Sequence, residues 1–163
     1  MTNLTDLLRT RLKGTGKVAL LAIGSELRGD DAAGLLVAES IARSKPTKRL
    51  KIFIGATAPE NLTGQIRAFS PKHIIIVDTA EMKEPPGTVL LLKPGELAKD
   101  ITFSTHNMPA EVLIEYFIKS LRSAVTFIGI QPATLEFGAR PSKHVKLSAK
   151  EVAGAILKSL RKA

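Results

Sequence analysis

The sequence predicts an α/β fold, a three-layer α/β/α domain spanning residues 1–163, built on a mostly parallel twisted sheet of about five strands. Three observations predict it. Short runs rich in β-branched and aliphatic residues, apolar at every position rather than at alternate ones, recur along the chain and read as strands buried on both faces. Between them lie stretches with apolar residues at helical spacing, and the two patterns alternate from end to end with no linker or repeat. A length of 163 residues, 44% of them hydrophobic and 24% charged, suits one domain with a sizeable core.

In chain order, the opening MTNLTDLLRTRLKG has leucines at helical spacing among charges, unlike the apolar stretch of a secretory signal. Residues 17–23 (KVALLAI) form the first strand, and residues 31–44 carry a helical pattern. Residues 51–54 (KIFI) are the second strand, followed by a helix over 59–69 with Pro59 in its first turn. The third strand, 73–78 (HIIIVD), ends on a carboxylate. EPPG at 84–87 is a tight turn into 88–92 (TVLLL), a strand that this connection allows to run antiparallel. Pro109 opens a helix over 109–122, residues 125–130 (VTFIGI) form the last strand, and a helix over 148–160 opens with Ser148 and Glu151 at capping-box spacing.

Composition narrows the chemistry. The chain has no cysteine, which excludes disulfides, thiol nucleophiles and Cys-based metal sites, so any metal must meet Asp, Glu or His. No apolar stretch approaches the ~18 residues of a membrane span, and a cytoplasmic protein without membrane insertion is expected. A formal charge of +9 invites a nucleic-acid reading. The basic residues are scattered, however, with modest clusters at KPTKRLK and KSLRKA, and 4% aromatic content leaves little for base stacking. No nucleic-acid partner is expected; a basic surface or an acidic protein partner accounts for the charge more simply.

In an open α/β sheet, ligands bind beyond the carboxyl ends of the strands. The loops there are GSELRGDD after the first strand, GATAPEN after the second, Asp78 at the end of the third, and the segment leading to STHNMPAE. Asp30 and Asp31 sit where a strand pattern turns into a helix pattern, and a carboxylate there serves as an N-cap. One Asp meets that need and the second is surplus. Asp78, directly after HIIIV, either emerges at the sheet end or is buried with partners, because an unpaired buried charge is costly. His106 lies in a polar loop just before a helix, where a surface or capping role competes with a functional one. His73 at a strand start and His144 in the basic C-terminal region read as structural. Asp31, Asp78 and His106 form a set of two carboxylates and one imidazole suited to Ni, Zn, Mn or Fe, but they stand 47 and 28 residues apart, so no local metal motif exists. GTGK at 14–17 precedes a strand and lacks the following Ser or Thr of a P-loop, GSELRG misses the dinucleotide spacing, and no G-x-S-x-G occurs.

AIGSELRGDDAAGLLVAE, TAPENLTGQIRAFSPKHIIIVDTAEM, PPGTVLLL, STHNMPAEVLIEYF and FIGIQP resemble, in order and spacing over residues 17–135, the [NiFe]-hydrogenase maturation endopeptidases. They are most similar to the branch that serves hydrogenase 3 of formate hydrogenlyase and related membrane-bound hydrogenases. The resemblance implies an enzyme that removes a C-terminal extension from the hydrogenase large-subunit precursor after nickel insertion. The nickel ion, carried by the substrate, is then the recognition element, and no permanently bound metal is expected. The family's metal-contacting positions fall on Asp31, Asp78 and His106. One departure is AIGS, where the family usually has G-x-G-N: Ala22 and Ser25 stand for Gly and Asn.

Peptide hydrolysis without Ser or Cys requires a metal-polarised carbonyl and water or carboxylate acid–base chemistry. Asp31 and Asp78 are the candidate catalytic residues, with Asp78 the better candidate for activating water. Thr57, Pro59, Glu60 and Asn61 of the second loop, with Thr105 and Asn107 beside His106, are expected to line the groove for the precursor's tail; alternatively, Pro59, Glu60 and Asn61 only start a helix. Within the acidic pair, Asp30 is expected to cap the helix and Asp31 to meet nickel. A monomer is expected. Two other functions fit the same residues: a non-cleaving, nickel-dependent checkpoint or chaperone for the large subunit, and a metal-dependent hydrolase of small molecules.

Overall fold

The computed structural model describes residues 3–96, 101–103 and 108–161. Its strands are β1 (Val18–Ile23), β2 (Leu50–Ala56), β3 (His73–Glu81), β4 (Val89–Leu92), β5 (Thr102–Phe103) and β6 (Ala124–Ile130). The helices are α1 (Leu4–Leu12), α2 (Ala33–Arg43), α3 (Thr63–Phe69), α4 (Ala110–Lys119) and α5 (Lys143–Leu160). The sheet order is β2-β1-β3-β6-β4, with β5 pairing off this path onto β3. The β1–β2, β1–β3 and β3–β6 pairs are parallel. Strand β4 runs antiparallel to β6, as the EPPG connection allows, and β5 antiparallel to β3.

The three layers follow from the unbroken apolar strands, because each strand supplies alternate residues to two separate cores. Val18, Leu20, Ala22, Ile75, Val77 and Ile128 face α1, α2 and α5. Ala19, Leu21, Ile23, Ile74, Ile76 and Phe127 face α3 and α4, where Ile66 and Phe117 are buried. The first helix is capped by Asn3, whose side chain accepts from the Asp6 N–H at 2.9 Å, and it buries Leu8 and Leu12.

Four expectations are corrected. The sheet has six strands rather than about five, because Thr102–Phe103 pairs with Ala80 and Glu81 while the Phe103 ring packs against Phe127, 4.3 Å between centroids with the planes tilted by 52°. Asp78 is not the last residue of β3, since the strand continues to Glu81 with β6 and then β5 as partners. The helix patterns at 31–44 and 59–69 are entered through 3₁₀ turns, Gly29–Ala32 and Pro59–Leu62. Finally, α5 starts at Lys143, ahead of Ser148: Ser142 is its N-cap, accepting from the Val145 N–H, while Ser148 is buried and donates to the Gly87 carbonyl.

At the amino end of the sheet, His73 is structural, as its strand-start position suggests. It is 3% exposed, and its Nε2 lies 2.8 Å from Thr126 Oγ1. Burial, reinforced by the nearby Arg11 guanidinium, pushes its pKa down to about 4.

Candidate active site

The carboxyl ends of β1 and β3 meet the start of α2 at very short range. A Cβ on Gly34 would stand 2.4 Å from the Ile23 carbonyl oxygen and 2.5 Å from that of Val77, so only glycine lets the helix settle on both strand ends. The loop leaving β1 folds back on the acidic turn: the Ser25 N–H donates to the Asp31 carbonyl at 3.1 Å. Gly24 has φ +147°, and a Cβ there would lie 2.0 Å from that same carbonyl oxygen. The Ser25 hydroxyl accepts from the Leu27 N–H at 3.2 Å and shapes the following turn.

Asp30 does not cap its helix; neither the 3₁₀ turn nor α2 has a side-chain cap. Its carboxylate instead reaches the loop between β6 and α5. It accepts from the backbone N–H of Ala133 at 2.8 Å, of Thr134 at 3.3 Å and of Ser142 at 2.6 Å, and from the Ser142 hydroxyl at 2.8 Å. The backbone strengthens the tie, with the Asp30 N–H donating to the Thr134 carbonyl at 2.9 Å and the Gly29 N–H to that of Ala139 at 3.1 Å. Asp30 is fully buried and its acceptor capacity is spent on structure.

Asp31 and Asp78 are also buried, at 2% and 0% exposure. They come from different elements that touch directly: the Thr79 hydroxyl, next to Asp78, donates to the carbonyl of Asp30, next to Asp31, at 2.7 Å. Asp78 Oδ1 accepts from the Thr79 N–H at 2.7 Å. The fold thus gathers two buried carboxylates at the carboxyl end of the sheet, where ligands of such folds bind. Carboxylates in this setting can hold a cation or take a proton from water. Among the described residues no group of three metal-ligating side chains occurs.

Of the second loop, Pro59 is buried and Glu60 half-buried, with one Glu60 carboxylate oxygen enclosed and without a hydrogen-bond partner, while Thr57 and Asn61 are exposed. The 3₁₀ turn at Pro59–Leu62 leads into α3, so these residues do start a helix, at the same sheet end as Asp31. His106, Thr105 and Asn107 lie outside the described residues. Among those flanking them, Phe103 pairs with Ala80, two positions beyond Asp78, and Met108 packs on the core beneath α4.

Gln131 is a residue whose role sequence reasoning missed. Its side-chain oxygen accepts from the Met82 N–H at 2.7 Å and its amide donates to Glu81 at 2.9 Å, fixing the chain as it leaves β3. The signal was an amide followed by proline directly after an apolar strand.

A family model described as hydrogenase maturation protease matches residues 35–159, a span that includes Asp78 and begins just past Asp31. The hydrogenase 3 maturation protease of Escherichia coli is 36% identical over 118 residues, covering 72% of this chain and 74% of the relative. The solved structure of the [NiFe] hydrogenase maturation protease HycI from Thermococcus kodakarensis superposes with a TM-score of 0.87 at 28% identity, covering 96% of this chain and 99% of that one. The solution structure of the endopeptidase HycI from Escherichia coli gives 0.74 at 33% identity, covering 85% and 87%. The acidic pair, the carboxylate inside β3 and the three-layer frame that brings them together are thus those of a chain that belongs to the hydrogenase maturation protease family, a protease of hydrogenase maturation.

Proposed function

We propose that the chain is the endopeptidase that removes the C-terminal extension of a [NiFe]-hydrogenase large-subunit precursor after nickel insertion. Asp31, Asp78 and His106 engage the precursor's nickel, which belongs to the substrate. The observation that carries this reading is the convergence of two buried carboxylates, Asp31 and Asp78, at the carboxyl end of the sheet. Asp30 is spent on four hydrogen bonds to the loop before α5, whereas Asp31 and Asp78 are both buried on elements that the Thr79 hydroxyl, donating to the Asp30 carbonyl, joins directly. Burial of paired carboxylates is expensive, and a cation brought by the substrate offsets that cost.

Hydrolysis of the extension requires a water to attack the scissile carbonyl and a group to take its proton. Asp78, held in orientation by the Thr79 N–H on its Oδ1, takes that proton and returns it to the leaving amine nitrogen as the C–N bond breaks, so that the carboxylate is regenerated. Asp31 anchors the metal-bearing part of the substrate, its own backbone carbonyl held by the Ser25 N–H. Thr57, Pro59, Glu60 and Asn61 are assigned to binding the precursor's tail, and so are Thr105 and Asn107, which lie outside the described residues. The protein works as a monomer in the cytoplasm.

The test is mass spectrometry of a nickel-loaded large-subunit precursor incubated with wild type, Asp78→Asn and Asp31→Ala. Wild type releases one C-terminal peptide, and both variants lower the rate at least 10³-fold while keeping their fold. Unimpaired processing by Asp78→Asn removes it from the chemical step. A stable complex between wild type and precursor, with no shortened product, removes cleavage itself.

A further inference from the structure

We propose that the outer edge of β2 is the docking strand for the substrate: an extended, alternately apolar segment of the precursor adds to the sheet beside β2 and is thereby led to the carboxylates. This rests on the protease reading above. Strand β2 ends the sheet, with β1 as its strand partner. The Val18 N–H donates to the Arg49 carbonyl at 2.8 Å. In a parallel ladder this register turns the backbone groups of residues 49, 51 and 53 toward β1 and those of Ile52 and Ile54 outward.

Edge strands in soluble proteins are normally guarded by charge, proline or brevity. Here the strand is regular from Leu50 to Ile54, with a register shift only at its carboxyl end before Ala56, and its one charge, Lys51, turns to the opposite face, 5.3 Å from the Phe53 ring centroid. The face toward α2 is an apolar groove of about 750 Å³, floored by Ile52 and Ile54 and walled by Leu35 and Leu36 of α2. Ile54 is 53% exposed and Leu27, at the groove's rim, 62%. Two acidic residues line the groove: Glu39 in its wall is paired with Arg43 at 2.5 Å, and Glu26 is exposed at the rim beside Leu27, so the floor itself is apolar.

Length and continuity identify that occupant. Residues 50–54, ahead of the register shift that precedes Ala56 (φ +47°), span about 17 Å in extended form, enough to pair with about five residues of added strand. The groove closes on Gly24, Ser25 and Thr57, and the Ser25 N–H is bonded to the Asp31 carbonyl. A strand laid along β2 therefore emerges at the loop that carries Asp31. Main-chain pairing of this kind supplies affinity, while the alternate apolar pockets supply selectivity.

The experiment compares steady-state processing of the large-subunit precursor by wild type, Ile54→Glu, Ile54→Pro and Leu27→Asp, with amide exchange of wild type measured with and without precursor. Ile54→Pro removes an outward N–H without touching the β1 ladder, and Leu27→Asp is a second, exposed position for the case that a β2 variant fails to fold. The expected result is a KM raised at least tenfold with kcat within twofold, and exchange at Ile52 and Ile54 slowed at least tenfold by precursor. Unchanged KM in all three folded variants overturns the docking strand and leaves the protease reading intact. Protection of Ile52 and Ile54 without any shortened product supports the docking strand and overturns the protease reading. A dimer of this chain that buries β2 and that precursor does not displace also overturns the proposal.

Discussion

Asp30 and Asp31 are adjacent, identical in chemistry and both buried, so only their partners separate them. The surplus of one carboxylate over the needs of a helix start is legible in the sequence. Its assignment is not, because the partners of Asp30 are Ala133, Thr134 and Ser142, more than 100 positions further on. Their placement beside Asp30 is a product of the finished fold. Loss of one helix cap costs about 1 kcal/mol, whereas Asp30→Ala orphans several buried donors of a charged acceptor and is expected to cost about 3 kcal/mol or more. Denaturant titration checks this, and a loss near that of a cap would mean that the clamp contributes little. His73 gives a second prediction. In the unfolded chain it takes a proton near its ordinary 6.5, but in the fold only near 4. The unfolded state therefore binds more protons between these values, and stability falls as pH drops from 6.5 to 4, by about 3 kcal/mol in all. His73→Gln is expected to flatten that slope in urea titrations over the same window, and an unchanged slope would assign it to other groups.

Strands and helices were legible where burial on both faces writes an uninterrupted apolar run, as in KVALLAI and HIIIVD, or where one face writes a helical stripe. What escaped has no such pattern. Strand β5 is two residues long and is held by the pairing of Phe103 with Ala80 and the tilted packing of its ring against Phe127, both long-range. The start of α5 escaped because Ser148 and Glu151 imitate a capping box inside a helix whose true cap, Ser142, is held by Asp30. The loop between β1 and the acidic turn shows how one element controls the site. Gly24→Ala drives a methyl onto the Asp31 carbonyl oxygen, 2.0 Å from the position of its Cβ. The β1 end and the turn bearing Asp31 are both buried, so the contact is relieved only by shifting the two apart, and Asp31 is displaced relative to the strand ends. A displacement of about 1 Å at a reacting group costs on the order of 10²-fold in rate. Gly24→Ala is thus expected to lower kcat for precursor processing about 100-fold, with the thermal midpoint reduced by only a few degrees. Normal turnover would show that Asp31 needs no such placement.

Across the whole molecule, a central sheet separates two cores, and the basic charge on its surface is partly put to structural use. Arg49, from the KPTKRLK cluster, ties the loop before β1 to the last helix through the carbonyls of Gly16 at 3.0 Å, Thr15 at 3.0 Å and Leu160 at 3.3 Å. The order of the strands then decides which parts open together. Strands β1, β3 and β6 lie inside the sheet, and their residues from Ala19 to Ala22, Ile74 to Val77 and Val125 to Ile128 are buried between both helix layers. Opening any one of them exposes both cores at once. Strand β4 is four residues long, half-buried and at the margin, and β5 is shorter still. Local opening free energies should follow this gradient, from near zero at lightly packed margins to the global value at the centre. Native-state hydrogen exchange is therefore expected to give one common, maximal free energy for the amides of β1, β3 and β6, and values at least ~2 kcal/mol lower for β4 and β5. The difference bears on catalysis, since β5 pairs with β3 just beyond Asp78: its opening would loosen the wall of the site without unfolding the strand that carries the carboxylate. Equal protection in β5 and β3 would instead make that wall part of the rigid centre and place all adjustment to the substrate in the loops after β1 and β2.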